Sequence, residues 1–588
     1  MLFGKYVNKF YLKYFLSFFI GVISLIVIDI AQLKIPEYLG LAMDNLKNGI
    51  EASTYLSDLI KNILIIAVIM WACRFIWRIT LLGTSTKIQC DLRRMVFNKT
   101  TTLSRRHFYD NKVGELMSLI SYDVEMIREV FGFGMISLVD CIFLGGLTLI
   151  KMFTLDWRLS LFSLIPLLLI AVSSGIVEKG ISKRYDKRQE SLDELSNFTQ
   201  ENYSGIRVIK AFVQEKYERA AFFVLGLDCK ESDIKLSRYS AGVDALISLS
   251  ISTFIFIVLG VGGYLVFLTT TNQIDTSLSV GQITTFVGYF DTLVWPLIAI
   301  GHVITMTSKG KTSLKRVTKV LDLEDEILDG DDSFEKEVKG KIEFKNLTFS
   351  YPDSEEVCLE NISFTIKEGE KIGIVGRVGS GKSTIADILM RLFNVEKDKV
   401  FIDDKDIMTL KVKDVRNCIG YVPQDSFLFS DKVKNNISFI DNDIPFEKIK
   451  EAALFAAVDD NIVNFDKGYE TITGEKGVSL SGGQKQRISI ARAYIKNAPI
   501  MILDDSVSAV DMKTEKTILE NINTYRKNKT TILIASRVST VEHLDKILVI
   551  NNGKIEGYAP HKELIKISPL YKHMVQIQKF EDGMEGDA

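Results

Sequence analysis

Apolar and polar residues alternate differently in the two halves of the chain. The first half contains six apolar stretches, each near the roughly 20 residues that a helix needs to cross a bilayer. They lie at about 14–36, 58–81, 133–153, 159–178, 243–268 and 280–306. After a charged stretch the second half returns to short apolar runs. This pattern predicts a transmembrane domain over 1–312, a linker over 313–340, a globular domain over 341–580 and a tail over 581–588.

Lysine and arginine positions predict how the chain is oriented. Lys5, Lys9 and Lys13 recur every four residues among aromatic side chains, which is typical of an interfacial helix, here over 1–12. The long connections after the second and fourth spans are rich in lysine and arginine, whereas 269–279 has neither. The positive-inside rule then places both termini, both long connections and the globular domain in the cytoplasm of a multi-pass cell-membrane protein.

The two long cytoplasmic connections carry helical patterns with turns near 107–116 and 205–216. Ionisable residues also lie within the predicted spans, where a charge is costly and usually faces protein or a water-filled cavity. They are Asp29, Arg74, Arg78, Asp140, Asp244 and Asp291. Asp140 and Asp291 are candidates for contact with a cationic ligand. The alternatives are pairing with Arg74 or Arg78, or a position nearer the membrane interface.

Composition agrees with a membrane protein that also has a large domain outside the bilayer. The 588 residues are 47% hydrophobic, with a mean hydropathy of +0.15. The formal net charge of −2 offers no argument for nucleic acid as a partner. Six well-separated cysteines, without a C-x-x-C pair, indicate reduced thiols and no zinc site.

A phosphate-binding loop stands in the second half, between a short apolar strand and a helical pattern. It matches G-x-x-x-x-G-K-[ST] and comprises Gly376, Arg377, Val378, Gly379, Ser380, Gly381, Lys382, Ser383 and Thr384. Backbone N–H groups of such a loop wrap phosphates, and the helix N-terminus favours the anion. Lys382 would reach the β- and γ-phosphates of ATP, and the Ser383 hydroxyl would bind Mg²⁺.

Four further motifs extend this site. Asp504 ends the apolar run 500–504, where it would help to hold Mg²⁺, and Tyr351 lies ahead of the loop, where it could stack on adenine. Gln424 follows another short apolar run. The sequence Ser481, Gly482, Gly483, Gln484 opens a helix and forms a second anion-binding terminus. One ATP needs only one such terminus, so the second predicts contact with ATP held by another subunit.

Leu480 to Gln484, together with the loop and strand motifs, resembles the ATP-binding cassette (ABC) family, and the whole chain resembles a half-size exporter. The fold implied is a membrane α-helical bundle of six helices with long cytoplasmic extensions, followed by an α/β P-loop NTPase domain with an antiparallel β subdomain and a helical subdomain. The resemblance also assigns roles to several positions. Tyr351 would stack on adenine, Gln424 would link Mg²⁺ to the membrane domain, and the loop 508–511 with Asp511 would cross the dimer interface. Gly474 to Gly477 would meet a partner's loop, and the turns near 107–116 and 205–216 would be coupling helices.

Two positions depart from the family pattern. Asp505 stands where the family has a glutamate that polarises the attacking water, and Ser536 stands where it has a histidine. Aspartate is one methylene shorter, and a displacement of that order can cost about 10²-fold in rate. Serine lacks the reach and charge of an imidazole. We therefore expect a site that binds MgATP with impaired hydrolysis, in a heterodimer whose second half-transporter has the intact glutamate and histidine.

Three functions remain open at this stage. The first is ATP-driven export of lipophilic or amphipathic small molecules by alternating access. The second is a lipid flippase, whose substrate enters from the bilayer. The third is an ATP-gated channel or regulatory subunit. The six predicted spans exclude a soluble ATPase that acts on nucleic acid.

Overall fold

The protein is described here from a computed structural model, which covers residues 2–46, 51–110, 113–270, 278–352, 354, 356–441, 443–474, 480–507 and 510–585. The chain forms two compact units. The first comprises residues 1–102 and 111–323, and the second comprises 103–110 and 324–588.

The described part of the first unit consists of helices and short connections. The helices up to residue 323 are α1 (Asn8–Lys13), α2 (Phe15–Asn45), α3 (Glu51–Trp77), α4 (Gly83–Thr102), α5 (Arg105–Asp110), α6 (Val113–Ser118), α7 (Val124–Glu129), α8 (Met135–Val139), α9 (Gly145–Leu155), α10 (Trp157–Ser204), α11 (Ile206–Ala211), α12 (Glu215–Ile257), α13 (Gly263–Thr270) and α14 (Val280–Leu321). Turns of π-helix join α3 to α4, α6 through α9, and α12 to α13. They are Arg78–Leu82, Leu119–Asp123, Val130–Gly134, Asp140–Leu144 and Val258–Gly262.

The long helices agree with the membrane-domain prediction, although the number of spans stays a prediction. Within the described residues, five helices are long and apolar enough to cross a bilayer, and α10 begins with a shorter apolar segment, Trp157–Leu168. Several helices run well beyond bilayer length, as the sequence led us to expect of cytoplasmic extensions. Helix α14 continues to Leu321, so the first part of the stretch predicted as linker is helical.

The N-terminal segment packs on its own unit. Leu2, Val7 and Phe10 are buried in a core that also contains residues of α4, α7 and α14. Two lysines of the predicted interfacial helix also form ion pairs, Lys5 with Asp322 at 2.8 Å and Lys13 with Asp91 at 2.6 Å. The pattern of apolar residues at this end therefore reflects intramolecular packing as well as amphipathicity.

The second unit is built on two sheets. Its strands are β1 (Ile342–Ser350), β2 (Val357–Ile366), β3 (Lys371–Gly376), β4 (Val400–Ile402), β5 (Lys405–Asp406), β6 (Ile419–Val422), β7 (Ile500–Asp504), β8 (Thr530–Ile534), β9 (Lys546–Asn551) and β10 (Lys554–Ala559). The sheet β2-β1-β4-β5 is antiparallel. The second sheet has the order β10-β9-β3-β8-β7-β6, and all its neighbours are parallel except β9 and β10.

The helices of this unit from residue 382 onward are α15 (Lys382–Leu389), α16 (Val412–Asn417), α17 (Val433–Ile437), α18 (Phe446–Phe455), α19 (Asp459–Val463), α20 (Gly482–Ile495), α21 (Met512–Tyr525), α22 (His561–Ile567) and α23 (Pro569–Glu585). Helices α15, α16, α20 and α22 pack on strands of the second sheet. Strands β7 and β8 are buried along their whole length, which accounts for their unbroken apolar runs. Because β3, β7 and β8 are parallel neighbours, the residues after them gather at one edge of the sheet.

Candidate nucleotide-binding site

The phosphate-binding loop joins β3 directly to α15. Gly379 and Gly381 have φ of +79° and +94°, backbone conformations that favour glycine. The Lys382 ammonium donates to the carbonyl oxygens of Gly376 and Arg377, each at 2.9 Å. Burial lowers the pKa of Lys382, against the effect of the nearby Asp504 and Asp505 carboxylates. This lysine spans its own loop and is placed where a phosphate could take over both hydrogen bonds.

The loop also contains a buried polar atom that lacks a partner. Ser380 is 3% exposed, and its hydroxyl oxygen has no hydrogen-bond partner within the described residues. Buried hydroxyls are usually satisfied, so an orphan of this kind points to an absent ligand. Together with the glycine turns and the N-terminus of α15, it fits a loop built around phosphate oxygens. The residues present therefore fit ATP.

The predicted magnesium ligands lie side by side. The Ser383 hydroxyl donates to the Asp504 carboxylate at 3.0 Å. Asp504 is 2% exposed, and burial raises its pKa to about 6 although the Ser383 hydrogen bond acts in the opposite direction. A hydroxyl and a carboxylate at this separation are the oxygen ligands that Mg²⁺ takes beside nucleotide phosphates.

One cleft of about 290 Å³ unites most of the predicted site. Its lining comprises Tyr351, Cys358, Val378, Gly379, Ser380, Gly381, Lys382, Ser383, Thr384, Gln424, Asp504, Asp505, Ile534 and Ser536. Gly376 ends β3 and Arg377 begins the loop, so both adjoin this cleft without lining it. Four separate sequence motifs thus meet in one place, as the parallel strand order requires.

The two departures from the family pattern face each other at this edge. Strands β7 and β8 pair with Asp504 opposite Ile534, which carries Asp505 and Ser536 to the same side of the cleft. The Ser536 hydroxyl donates to the Asp505 carboxylate at 3.4 Å, a long hydrogen bond. Asp505 also has a positive φ of 44°, and its N–H donates to Ile534. Its backbone is therefore fixed, and only the side chain can adjust to a nucleotide.

Tyr351 lies at the end of β1 and touches the loop helix. Its hydroxyl is 2.9 Å from the Thr384 hydroxyl, and its ring packs edge-on against Phe349 and Phe393. Burial raises its pKa. These contacts fix the ring at the wall of the cleft, and its stacking on adenine stays a prediction.

The second predicted anion-binding terminus lies apart from this cleft. Ser481 and Gln484 form a reciprocal capping box at the start of α20, with Gln484 N–H donating to the serine hydroxyl at 3.3 Å. Gly482 and Gly483 form the first turn. Asp511 caps α21 in the same manner, accepting from Thr514 N–H at 3.0 Å. None of these five residues lines the cleft, as expected of groups that serve another nucleotide.

Two predicted contact segments are only partly described. Of Gly474 to Gly477, the structure describes Gly474 alone, and of Ser508 to Asp511 it describes Val510 and Asp511. The remaining positions lie outside the described residues.

Sequence reasoning missed two contacts near the site. Arg105 of α5 forms an ion pair with Asp387 of α15 at 2.8 Å, within the second unit. Burial raises the pKa of Asp387, and Arg105 opposes that shift. Gln578 of α23 accepts hydrogen bonds from the N–H groups of Val538 and Ser539, just beyond Ser536. Both contacts join positions far apart in sequence, and only the buried acid inside the apolar α15 pattern hinted at the first.

Comparison with known families and proteins agrees with this geometry. The family description "ABC transporter transmembrane region" matches residues 18–297, and "ABC transporter" matches residues 359–508. The probable multidrug resistance ABC transporter ATP-binding/permease protein YheI of Bacillus subtilis (strain 168) is 33% identical over 585 residues, 99% of each chain. The multidrug resistance-like ATP-binding protein MdlA of Escherichia coli (strain K12) is 32% identical over 96% of this chain and 95% of its own length.

A solved structure has the same fold. The structure of a bacterial Atm1-family ABC exporter with ATP bound matches with a TM-score of 0.76, covering 97% of this chain and 99% of its own. Its sequence identity of 23% supports the shared fold alone.

Proposed function

The chain belongs to the ABC transporter family, as an exporter with one membrane domain fused to one nucleotide-binding domain, and on that premise we propose that it is the degenerate-site half of a heterodimeric pump for lipophilic or amphipathic compounds. ATP bound at its own loop would hold the dimer closed. Productive hydrolysis would occur at the partner's nucleotide, against the signature residues of this chain.

The export part of the proposal draws on full-length relatives. YheI and MdlA, which are similar along nearly their whole length, are described as multidrug resistance proteins. Helices of membrane-crossing length in the first unit and a phosphate-binding cleft in the second are the two parts that such a pump requires. Lipid bilayer, MgATP and a small lipophilic substrate are accordingly the proposed ligands.

The degenerate-site part rests on one observation, the pairing of Asp505 with Ser536 inside the cleft. A general base must lie within hydrogen-bond reach of the water that it activates. The Asp505 backbone is fixed by the hydrogen bond from its N–H to the Ile534 carbonyl oxygen. The aspartate side chain is one methylene shorter than that of glutamate, so its carboxylate reaches less far. Ser536 is neutral and turned toward Asp505, so it offers the γ-phosphate no positive charge.

Nucleotide binding should nevertheless be intact. Lys382, Ser383 and Asp504 line the same cleft in positions that suit phosphate and Mg²⁺. Ser481 is exposed at the N-terminus of α20, outside this chain's own cleft. A closed dimer would then contain one site of each kind, and only the site completed by Ser481 would turn over.

The proposal is tested by comparing two variants in the assembled transporter. The tagged chain is purified from its native membranes with the half-transporter that accompanies it and is reconstituted in vesicles. We expect Ser481→Ala to lower ATPase and dye transport by at least about tenfold, since removing one transition-state donor costs about 10²–10³ in rate. The pair Asp505→Asn and Ser536→Ala should change both by less than twofold.

Each part of the proposed function has a result that would reject it. Equal losses from both sets of variants would mean that this chain's own site hydrolyses ATP. Purification of a fully active homodimer would reject the heterodimer hypothesis. Flux that persists with a non-hydrolysable ATP analogue would replace the pump with an ATP-gated channel, and movement of labelled phospholipid alone would favour a flippase.

A further inference from the structure

Helix α2 carries a buried acid within the first predicted span. Asp29 is only 2% exposed, and its Oδ2 atom has no hydrogen-bond partner within the described residues. Arg74 and Arg78, which the sequence offered as counter-ions, are both exposed. An acid removed from water requires hydrogen bonds or a counter-charge. The described protein supplies neither to this oxygen, so a ligand could.

A second acid lies beside it. Asp140 begins the π-turn Asp140–Leu144, and helices α2 and α14 both pack on that turn. Leu25 of α2 shares a buried cluster with Val139, and Leu33 shares another with Leu144, so Asp29, one helical turn from each leucine, lies at the level of Asp140. Single π-turns inside long helices recur at functional sites because they re-aim side chains. Here the turn begins at an acid on the level of Asp29, whose Oδ2 lacks a partner among the described residues.

Aromatic side chains complete the cluster. The Trp295 indole N–H of α14 donates to Asp140 Oδ2 at 2.9 Å, which fixes the ring beside the acid pair. Phe133 meets Trp295 edge to face, with ring centroids 6.0 Å apart. Trp295 is 38% exposed and Phe133 is 36% exposed, so part of each ring is open to a ligand. Aromatic faces attract cations, and tryptophan does so most strongly.

We propose that Asp29, Asp140, Trp295 and Phe133 form a binding site for a lipophilic organic cation within the membrane unit. The inference rests on the proposed export function and names the class of substrate for it. The positive charge would neutralise the unpaired carboxylate, and apolar groups of the cation would lie on the two rings. A hydrated divalent metal fits poorly, because Ca²⁺ and Mg²⁺ require about six oxygen ligands and the cluster presents aromatic rings.

Equilibrium binding of a defined cation tests the site. The full-length chain in lipid nanodiscs, without nucleotide, is titrated with radiolabelled tetraphenylphosphonium, and triphenylphosphine oxide serves as a neutral probe. We expect Asp29→Asn and Asp140→Asn each to weaken tetraphenylphosphonium binding at least tenfold and to leave the neutral probe unchanged. Asp244→Asn and Asp291→Asn are matched controls, since both acids lie in predicted spans but are exposed. Neither control should change the Kd more than twofold.

The folded state of each variant is checked by its Kd for MgATP, and if Asp29→Asn does not fold then Asp140→Asn decides the outcome. Unchanged cation binding in a folded Asp140→Asn variant, or an equal loss in the controls, would overturn the site. Competition by millimolar Na⁺ or Mg²⁺ with full displacement would assign it to an inorganic ion and overturn the proposal as well.

The site and the export function fail in different ways. Unchanged cation binding together with ATP-driven transport of a neutral dye would reject the site and retain the pump. Acid-dependent cation binding without ATP-driven movement of any probe would retain the site and reject the pump.

Discussion

Removing the Asp504 carboxylate should weaken MgATP binding and at the same time stabilise the nucleotide-free protein. Burial raises the pKa of this group from 3.8 to about 6. The unfolded chain therefore loses the proton at lower pH than the folded chain, and stability falls as pH rises from about 4 to about 6. A difference of about two pKa units corresponds to about 3 kcal/mol above pH 6. Asp504→Asn removes this penalty and can still accept the Ser383 hydrogen bond.

The same pKa sets the pH dependence of metal-assisted binding. Mg²⁺ requires the deprotonated carboxylate, which is about 90% populated at pH 7 and about 10% at pH 5. MgATP affinity should consequently fall about tenfold over this interval, beyond the titration of ATP itself. Asp504→Asn should bind MgATP more weakly at pH 7 and should lack this tenfold component, because ATP titrates equally in both proteins.

Calorimetric titration of the full-length protein with MgATP at pH 7 and pH 5 measures the first effect, and thermal unfolding without nucleotide measures the second. Asp505→Asn is the matched control and should keep most of the pH dependence of MgATP affinity, because burial, and not Asp505, is the main cause of the raised pKa of Asp504. The reasoning is refuted if Asp504→Asn shows the wild-type loss of affinity between the two pH values. It is also refuted if the variant unfolds at a lower temperature than wild type at pH 7.

Two other predictions concern contacts that lie around the site. Arg105→Ala leaves the buried Asp387 acid without its ion pair and should cost about 1–3 kcal/mol, seen as a lower unfolding temperature. Arg106→Ala should cost less, because its ion pair with Glu326 spans 3.8 Å between partly exposed side chains. Gln578→Ala removes the acceptor of the Val538 and Ser539 N–H groups and should speed hydrogen exchange at these two amides. Gln576→Ala, at an exposed position of the same helix, should not, and equal exchange in both variants would contradict the prediction.

Local patterns predicted those parts of the fold that depend on local rules. Apolar and polar residues alternate in 340–366, which is typical of an antiparallel sheet, and this stretch contains the antiparallel strands β1 and β2. The unbroken apolar run 500–504 is typical of a buried parallel strand and forms β7. The glycine-rich loop between strand and helix predicted the phosphate site. Because parallel neighbours end at one edge, motifs that were far apart in sequence meet in one cleft.

Contacts between distant segments were not accessible in this way. Gln578 and Arg105 are ordinary polar residues in helical patterns, and nothing in their spacing indicates the loop or helix that they contact. The spacing of the N-terminal lysines predicts an interfacial helix and does not indicate their partners. Lys5 pairs with Asp322, just after α14, and Lys13 pairs with Asp91 of α4. The Trp295 indole donates to Asp140 of another helix, and the position of Trp295 in the sequence does not indicate this hydrogen bond.

The acids within the predicted spans also show that sequence alone does not specify contacts between helices. Sequence identified Asp140 and Asp291 as equivalent candidates for ligand contact, because both interrupt apolar spans. Their surroundings differ: Asp140 accepts a hydrogen bond from Trp295, which packs against Phe133, whereas Asp291 is exposed on α14. Helix packing, which period and composition do not specify, separates the two.

The central claim is that this chain's own site binds ATP without efficient turnover, and the most direct measurement is the ATPase rate of the purified chain alone. We expect MgATP to bind and hydrolysis to remain at least about 10²-fold below that of Asp505→Glu combined with Ser536→His, since these changes restore a base and a cationic donor. If the unmodified chain alone hydrolyses ATP as fast as the double variant, the account of a degenerate site is contradicted.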